Sequence, residues 1–192
     1  KLAISRLVDK LRDDRIGLIV FAGSSYVQLP ITTDYVSAKM FLNTISTESV
    51  PIQGTALADA INTAARSFSA QSEKSRAIIV ITDGENHEDD PVKAAKQAAE
   101  LGIKVYTIGV GSPEGKPIPL KDGGLMKDRE GNIVVTRLDE NTLREIASAG
   151  NGAYVRAGNS EFGLNPIIDD IKKMDAEKFN SVVFEEYDEQ YM

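Results

Sequence analysis

The sequence predicts a doubly wound α/β domain, with a mostly parallel sheet covered by helices on both faces. Three observations predict it. Short apolar runs such as "IGLIVFAG" (16 to 23), "AIIVITD" (77 to 83) and "GIKVYTIGVG" (102 to 111) have the composition of strands buried on both sides. Between them lie segments whose apolar residues recur at helical spacing. The two kinds of segment alternate along the chain, the pattern of a parallel sheet built from strand–helix–strand units.

The elements follow in order. Ile4, Leu7, Val8 and Leu11 predict a helix over the opening residues. "IGLIVFAG" is then a buried strand, and "SSYVQLP" turns back as a short antiparallel edge strand ended by Pro30. Residues 33 to 46 predict a helix with Val36, Met40 and Ile45 inward. "GTALADAINTAARSFS" opens with a small-residue turn and sets Leu57, Ile61, Ala65 and Phe68 on one helical face. After the strand that ends at Asp83, Pro91 suits the first turn of a helix whose apolar side is Val92, Ala95 and Ala99. Residues 112 to 136 break the alternation: their "DGG" and "REGN" turn signals predict small hairpins projecting from the sheet edge. A helix resumes near Asp139 with Leu143, Ile146 and Ala147 inward, "GAYVRA" is a last short strand, and Ile167, Ile168, Ile171 and Met174 form the stripe of a final helix. The chain divides into a domain over 1–175, with its insertion at 112–136, and an acidic tail over 176–192.

Composition narrows the function. A chain of 192 residues suits one domain. The net charge of −7 and the absence of a Lys/Arg cluster argue against a nucleic-acid partner. Cysteine is absent, which excludes thiol catalysis, thiolate metal sites and disulfides within the chain. No apolar run approaches the ~20 residues of a membrane-spanning helix. The chain opens at Lys1, directly inside an amphipathic pattern, as expected of a longer protein represented in part.

In open α/β sheets, ligands collect at the carboxyl ends of the strands. Asp83 stands at such an end, in "IIVITDGENHEDDP". Desolvating a lone carboxylate costs several kcal/mol, so Asp83 is expected to face amides, hydroxyls or a cation. Thr55, in "QGTALADA", is the second candidate, poised where a helix starts. Each has a structural alternative: Thr55 as a helix N-cap, Asp83 as a turn residue before Gly84. Together they would offer oxygen ligands from two loops, a donor set that favours a hard cation such as Mg²⁺. Glu85, Glu88, Asp89 and Asp90 read as a solvated loop end and helix-start charges, and His87 as a surface residue.

Enzymatic motifs are weak. "GVGSPEGKP" misses the phosphate-loop spacing and has Pro117 where a hydroxyl is needed. Gly109 and Gly111 follow a late strand, whereas a dinucleotide fingerprint opens its fold. With a single histidine, a nucleophile–histidine pair could be built only around His87. We therefore expect no enzyme. A phosphoacceptor-type regulatory domain also clusters acids at strand ends, and phosphorylation of Asp83 would distinguish it.

"GTALADAI", "IIVITDGE" and "GIKVYTIGVG", in that order, resemble the von Willebrand factor type A fold. "RIGLIVFAG", "ITTD", "GSPEGKPIPL" and "LDENTLREIASAGNGAYVRA" resemble, more narrowly, the Bat-type aerotolerance-associated membrane proteins of bacteria. The resemblance covers nearly the whole chain. It implies a protein-binding module with a metal-ion-dependent adhesion site, in which Thr55 donates its hydroxyl oxygen to Mg²⁺ or Mn²⁺ and Asp83 holds the ion directly or through water. A partner's carboxylate would complete the coordination. The family's DxSxS motif, after its first strand, has no counterpart in these 192 residues. The first helix corresponds to the family's first helix, so the resemblance implies a central strand before Lys1 that these residues lack. A scaffold role without metal is the alternative. The resemblance further implies membrane helices flanking a periplasmic domain, and association with other Bat-type proteins, tetratricopeptide-repeat proteins or a MoxR-type ATPase system.

Overall fold

The computed structural model describes residues 5, 8–11, 14–45, 54–68, 75–85, 89–117, 123–127, 130–157 and 164–174. Asn86, His87 and Glu88, the acidic tail, and Ile4 and Leu7 of the first helix lie outside them. In chain order the elements are β1 (Ile16–Phe21), β2 (Ser25–Thr32), α1 (Tyr35–Thr44), α2 (Leu57–Ser67), β3 (Arg76–Thr82), α3 (Pro91–Glu100), β4 (Ile103–Gly109), β5 (Lys116–Pro117), β6 (Val135–Thr136), α4 (Glu140–Ala149) and β7 (Asn151–Arg156). A last helix, α5, covers 165–174, and residues 8–10 of the opening segment are helical.

The expected α/β architecture is present. β3, β4 and β7 form a parallel sheet with β4 in the middle. The pairing of β3 with β4 sets Ile78 opposite Val105 and Ile79 opposite Tyr106. Alternate residues therefore face opposite sides, as a pleated strand requires. Ile78, Val80, Ile103 and Val105 pack against α2, α3 and α4 through Leu57, Ile61, Ala95, Leu143 and Ile146. Tyr106 and Ile108 pack on the other side against Ile167, with Leu164 and Ile171 beside it. Burial on both faces explains why these strands read as continuous apolar runs.

The start of β7 has no room for side chains toward β4. A Cβ at Gly152 would stand inside van der Waals distance of the Val105 carbonyl oxygen, and one at Gly150 would collide with the Val105 side chain. Glycine at both positions lets the helix α4 turn directly into its strand.

β1 and β2 form a separate antiparallel pair. β2 runs through Pro30 to Thr32, where the sequence had suggested that the proline ends it. The register shifts between Ile16 and Leu18, opposite this stretch, and an edge strand tolerates a residue that cannot donate to a ladder. Helix α1 also departs from expectation. Val36 and Met40 are 73% and 64% exposed, while Ala38 and Leu42 are buried and Ile45 is half-buried. The small Ala38 lets the helix approach the β1–β2 pair, so the Ala38–Leu42 stripe wins over the larger side chains. In α3 the stripe is shifted by one position: Ala94, Ala95 and Ala98 are buried, with Val92 and Ala99 only half so.

The insertion carries the predicted small hairpins. β5 pairs with β6 antiparallel, and Lys127 bridges Ile133.

Candidate functional site

The start of α2 ties the residue after β1 and the segment after β3 into one rim. The Ala56 amide, at the start of α2, donates to the Ala22 carbonyl just after β1 at 2.7 Å. The first turn of α2 reaches the far side: the Asp59 amide donates to Asp89 Oδ2 at 3.0 Å, in the segment between β3 and α3. Asp59 Oδ2 in turn accepts from the Ser25 amide at 2.8 Å and from Ser25 Oγ at 2.6 Å. Ser25 Oγ also contacts Thr63 Oγ1 at 2.7 Å. One carboxylate thus ties the start of β2 to α2, while a second ties α2 to the loop after β3. Asp89 is accordingly not the solvated loop charge that the sequence suggested. Asp90 is a helix-start charge as expected, its Oδ1 accepting from the Lys93 amide at 3.0 Å.

Thr55 sits at this rim immediately before α2. It does not cap the helix: the N-cap is Ala56, with no side-chain hydrogen bond. Gly54 before it has φ 139°, a conformation that a side chain would strain.

Asp83 directly follows β3 and is half-buried. Its Oδ1 accepts from the Glu85 amide at 3.3 Å, the bond of a local turn. Burial raises its carboxyl above the usual range, and the nearby Glu85 charge adds to this, while the Glu85 amide opposes it. Among the described residues no cationic side chain pairs with it. The backbone around Asp83 is clamped from the other side. The Asp139 amide donates to the Asp83 carbonyl at 2.8 Å, and the Arg137 amide donates to Glu85 Oε1 at 2.9 Å. Gly84, at φ 81°, passes so close to the Asp139 carbonyl and Leu143 that a Cβ would not fit. Glu85 is therefore a tether between the Asp83 loop and the segment that leads into α4, a role without any signal in sequence spacing.

Thr55 and Asp83 both line a cavity of about 680 Å³ that runs between β1 and β3. Among the described residues no group of three or more His, Cys, Asp or Glu side chains is assembled as a metal cluster.

The model of the von Willebrand factor type A domain matches residues 1–170. The chain belongs to that family. Two solved structures are similar to this chain in sequence as well as fold. One is BatB from Bacteroides thetaiotaomicron, 56% identical, with a TM-score of 0.87 over 90% of this chain and 85% of that one. The other is an aerotolerance-related membrane protein from Bacteroides fragilis carrying multiple mutations to serine, 51% identical, with a TM-score of 0.83 over 90% and 88% of the two chains. The type A domain here is thus of the Bat type. It is also 28% identical to an uncharacterised protein of Borreliella burgdorferi over 90% of this chain and 50% of that protein, so it spans about half the length of this curated relative. No described helix is long and apolar enough to cross a membrane.

Proposed function

We propose that this domain is a protein-binding module rather than a catalyst, and that it uses a divalent cation, Mg²⁺ or Mn²⁺, at the rim bearing Thr55 and Asp83. The observation that carries the reading is that a hydroxyl not used as a helix cap and a half-buried carboxylate without a cationic partner among the described residues line the same cavity. Both donors are oxygens, which suits a hard cation. A cation there would offset the cost of desolvating Asp83. Held partly by a neutral hydroxyl, it would keep net positive charge and attract a carboxylate of a partner protein.

Two protein donors fall short of the six or more oxygens such ions take, so this chain alone would bind the cation weakly. The further ligands would come from outside the two loops, and the partners would be other Bat-type proteins, tetratricopeptide-repeat proteins or a MoxR-type ATPase system, met on the periplasmic side of a membrane. The second reading, a scaffold that binds its partners without metal, draws on the lack of an acidic cluster among the described residues. Calorimetric titration with Mn²⁺ separates the two. Weak saturable binding that is lost in Asp83→Ala supports the metal site; binding of equal strength in the variant, or none in either protein, supports the scaffold.

A further inference from the structure

The hairpins of the 112–136 insertion carry a face that the cation site does not use. Val135 of β6 lies opposite Pro117 of β5, and Ile133 lies opposite Lys127. Opposite residues on antiparallel strands share a face, and so do residues two apart on one strand. Leu125, Ile133 and Val135 therefore stand on one face with Pro117 and Lys127. A Cβ added at Gly115 would meet both Val135 Cγ1 and Arg137 Cγ, so these two side chains are neighbours and Arg137 continues the row. Leu125, Ile133 and Val135 are each between 40% and 48% exposed, whereas Val134 and Thr136, which alternate with them, are half-buried. Single exposed apolar residues are ordinary on a protein surface, but a group sharing one face marks a place of contact.

Cations frame this face. Lys127 lies beside Ile133 at one end and Arg137 follows Val135 at the other. Both are exposed, and neither forms an ion pair among the described residues. The Glu114 carboxylate accepts from the Ser112 hydroxyl instead. From Ile133 to Arg137 is four residues, about 13 Å of extended chain. Acidic and basic residues balance over the insertion, while the whole chain carries −7, so an acidic partner is repelled by most of the surface and least so here. A second copy would set these cations against one another, and an anionic membrane would face the acidic remainder of the domain. The face also stands next to the candidate cation site: the Arg137 amide donates to Glu85 Oε1 at 2.9 Å, and the Leu138 amide closes the base of the insertion on the Ser112 carbonyl at 3.1 Å.

We propose that this face docks an extended segment of a partner protein in which two acidic residues stand four apart with an apolar residue midway between them. The acidic residues pair with Lys127 and Arg137, and the apolar one covers Leu125, Ile133 and Val135. Exposed ion pairs add little affinity, so burial of the apolar side chain supplies the attraction and the two charges fix the register. The proposal rests on the reading of the domain as a protein-binding module and does not depend on its cation.

The test is a nuclear magnetic resonance titration of the ¹⁵N-labelled chain with chelator present, so that the docking face and the cation site fail separately. The probe is an end-capped peptide reading Thr-Glu-Thr-Ile-Thr-Glu-Thr; the controls carry lysine in place of both glutamates, or serine in place of isoleucine. Amide signals of residues 125–127 and 133–137 should shift saturably with the probe and not with either control. Ile133→Ser should weaken binding about tenfold, and Lys127→Glu about fivefold while admitting the lysine peptide. Both positions are exposed, so the remaining spectrum should stay that of the folded domain. Asp83→Ala should bind the probe as the wild type does. Shifts that need Mn²⁺ and vanish in Asp83→Ala would overturn the docking face and leave the cation site standing. Equal binding of the glutamate and lysine peptides would overturn it in favour of unspecific apolar contact, and no shift with any peptide would overturn it outright. Broadening of these residues by vesicles containing an anionic lipid, without a response to the probe, would replace the partner segment by a membrane. Shifts that grow with protein concentration alone would replace it by a second copy.

Discussion

Replacing Tyr106 by phenylalanine tests what fastens α5 to the sheet. The Tyr106 ring is fully buried on the face of β4 opposite α2–α4, and its hydroxyl donates to Asp170 Oδ2 of α5 at 2.5 Å. Lys104 Nζ reaches the same oxygen at 3.2 Å. A hydrogen bond to a charged group contributes about 1.5–3 kcal/mol, but the Asp170 side chain is 43% exposed, so water replaces the lost donor. Phenylalanine leaves the ring packing intact. The expected loss is therefore about 1 kcal/mol, seen as a fall of about 2–4 °C in Tm for a domain of this size. The hydrogen bond from Tyr106 holds the Asp170 carboxyl below its ordinary value. A depressed carboxyl contributes stability that is present above the unfolded value of about 3.9 and is lost as pH falls through the folded one. The gap between the wild type and Tyr106→Phe, followed by urea and thermal unfolding, should be widest at pH 5–7 and narrow below pH 4. Equal stability at pH 7, or a gap unchanged from pH 7 to pH 3, would refute the reasoning.

Two further outcomes follow from packing. Gly152→Ala should destabilise the domain by about 3 kcal/mol, at the upper end for overpacking, because the obstacle is the Val105 backbone rather than a movable side chain; urea unfolding measures it. Leu42→Ala should cost about 2–3 kcal/mol in the same assay, whereas Met40→Ala should change stability by less than about 0.5 kcal/mol, since Leu42 is buried and Met40 is largely exposed.

Much of the fold was legible because strands buried on both faces announce themselves as apolar runs. β3 and β4 needed no more than that. Where a helix carries two competing apolar stripes, periodicity alone does not choose. In α1 the choice falls to Ala38, whose small side chain matters only once the β1–β2 pair is known to lie beneath it. Pro30 looked like a terminator because the sequence does not reveal that its strand sits at an edge. At the candidate site, Thr55 and Asp83 stand out in the sequence because each sits where a strand ends or a helix starts. Their neighbours could not. Asp59, Asp89 and Glu85 hold the rim together through contacts 30 to 52 residues apart in sequence, for which no local spacing rule exists. The divided sheet was foreshadowed by the type A resemblance, which places a strand between β1 and β3.

The proposed cation site places Thr55 and Asp83 on one rim of the cavity between β1 and β3. The most direct measurement is nuclear magnetic resonance of the ¹⁵N-labelled chain during addition of Mn²⁺, whose paramagnetism broadens nearby amide signals even when binding is weak. The account predicts broadening centred on residues 54–57 and 83–85 that disappears in Asp83→Ala. Broadening scattered over the acidic surface, and unchanged in that variant, would contradict it.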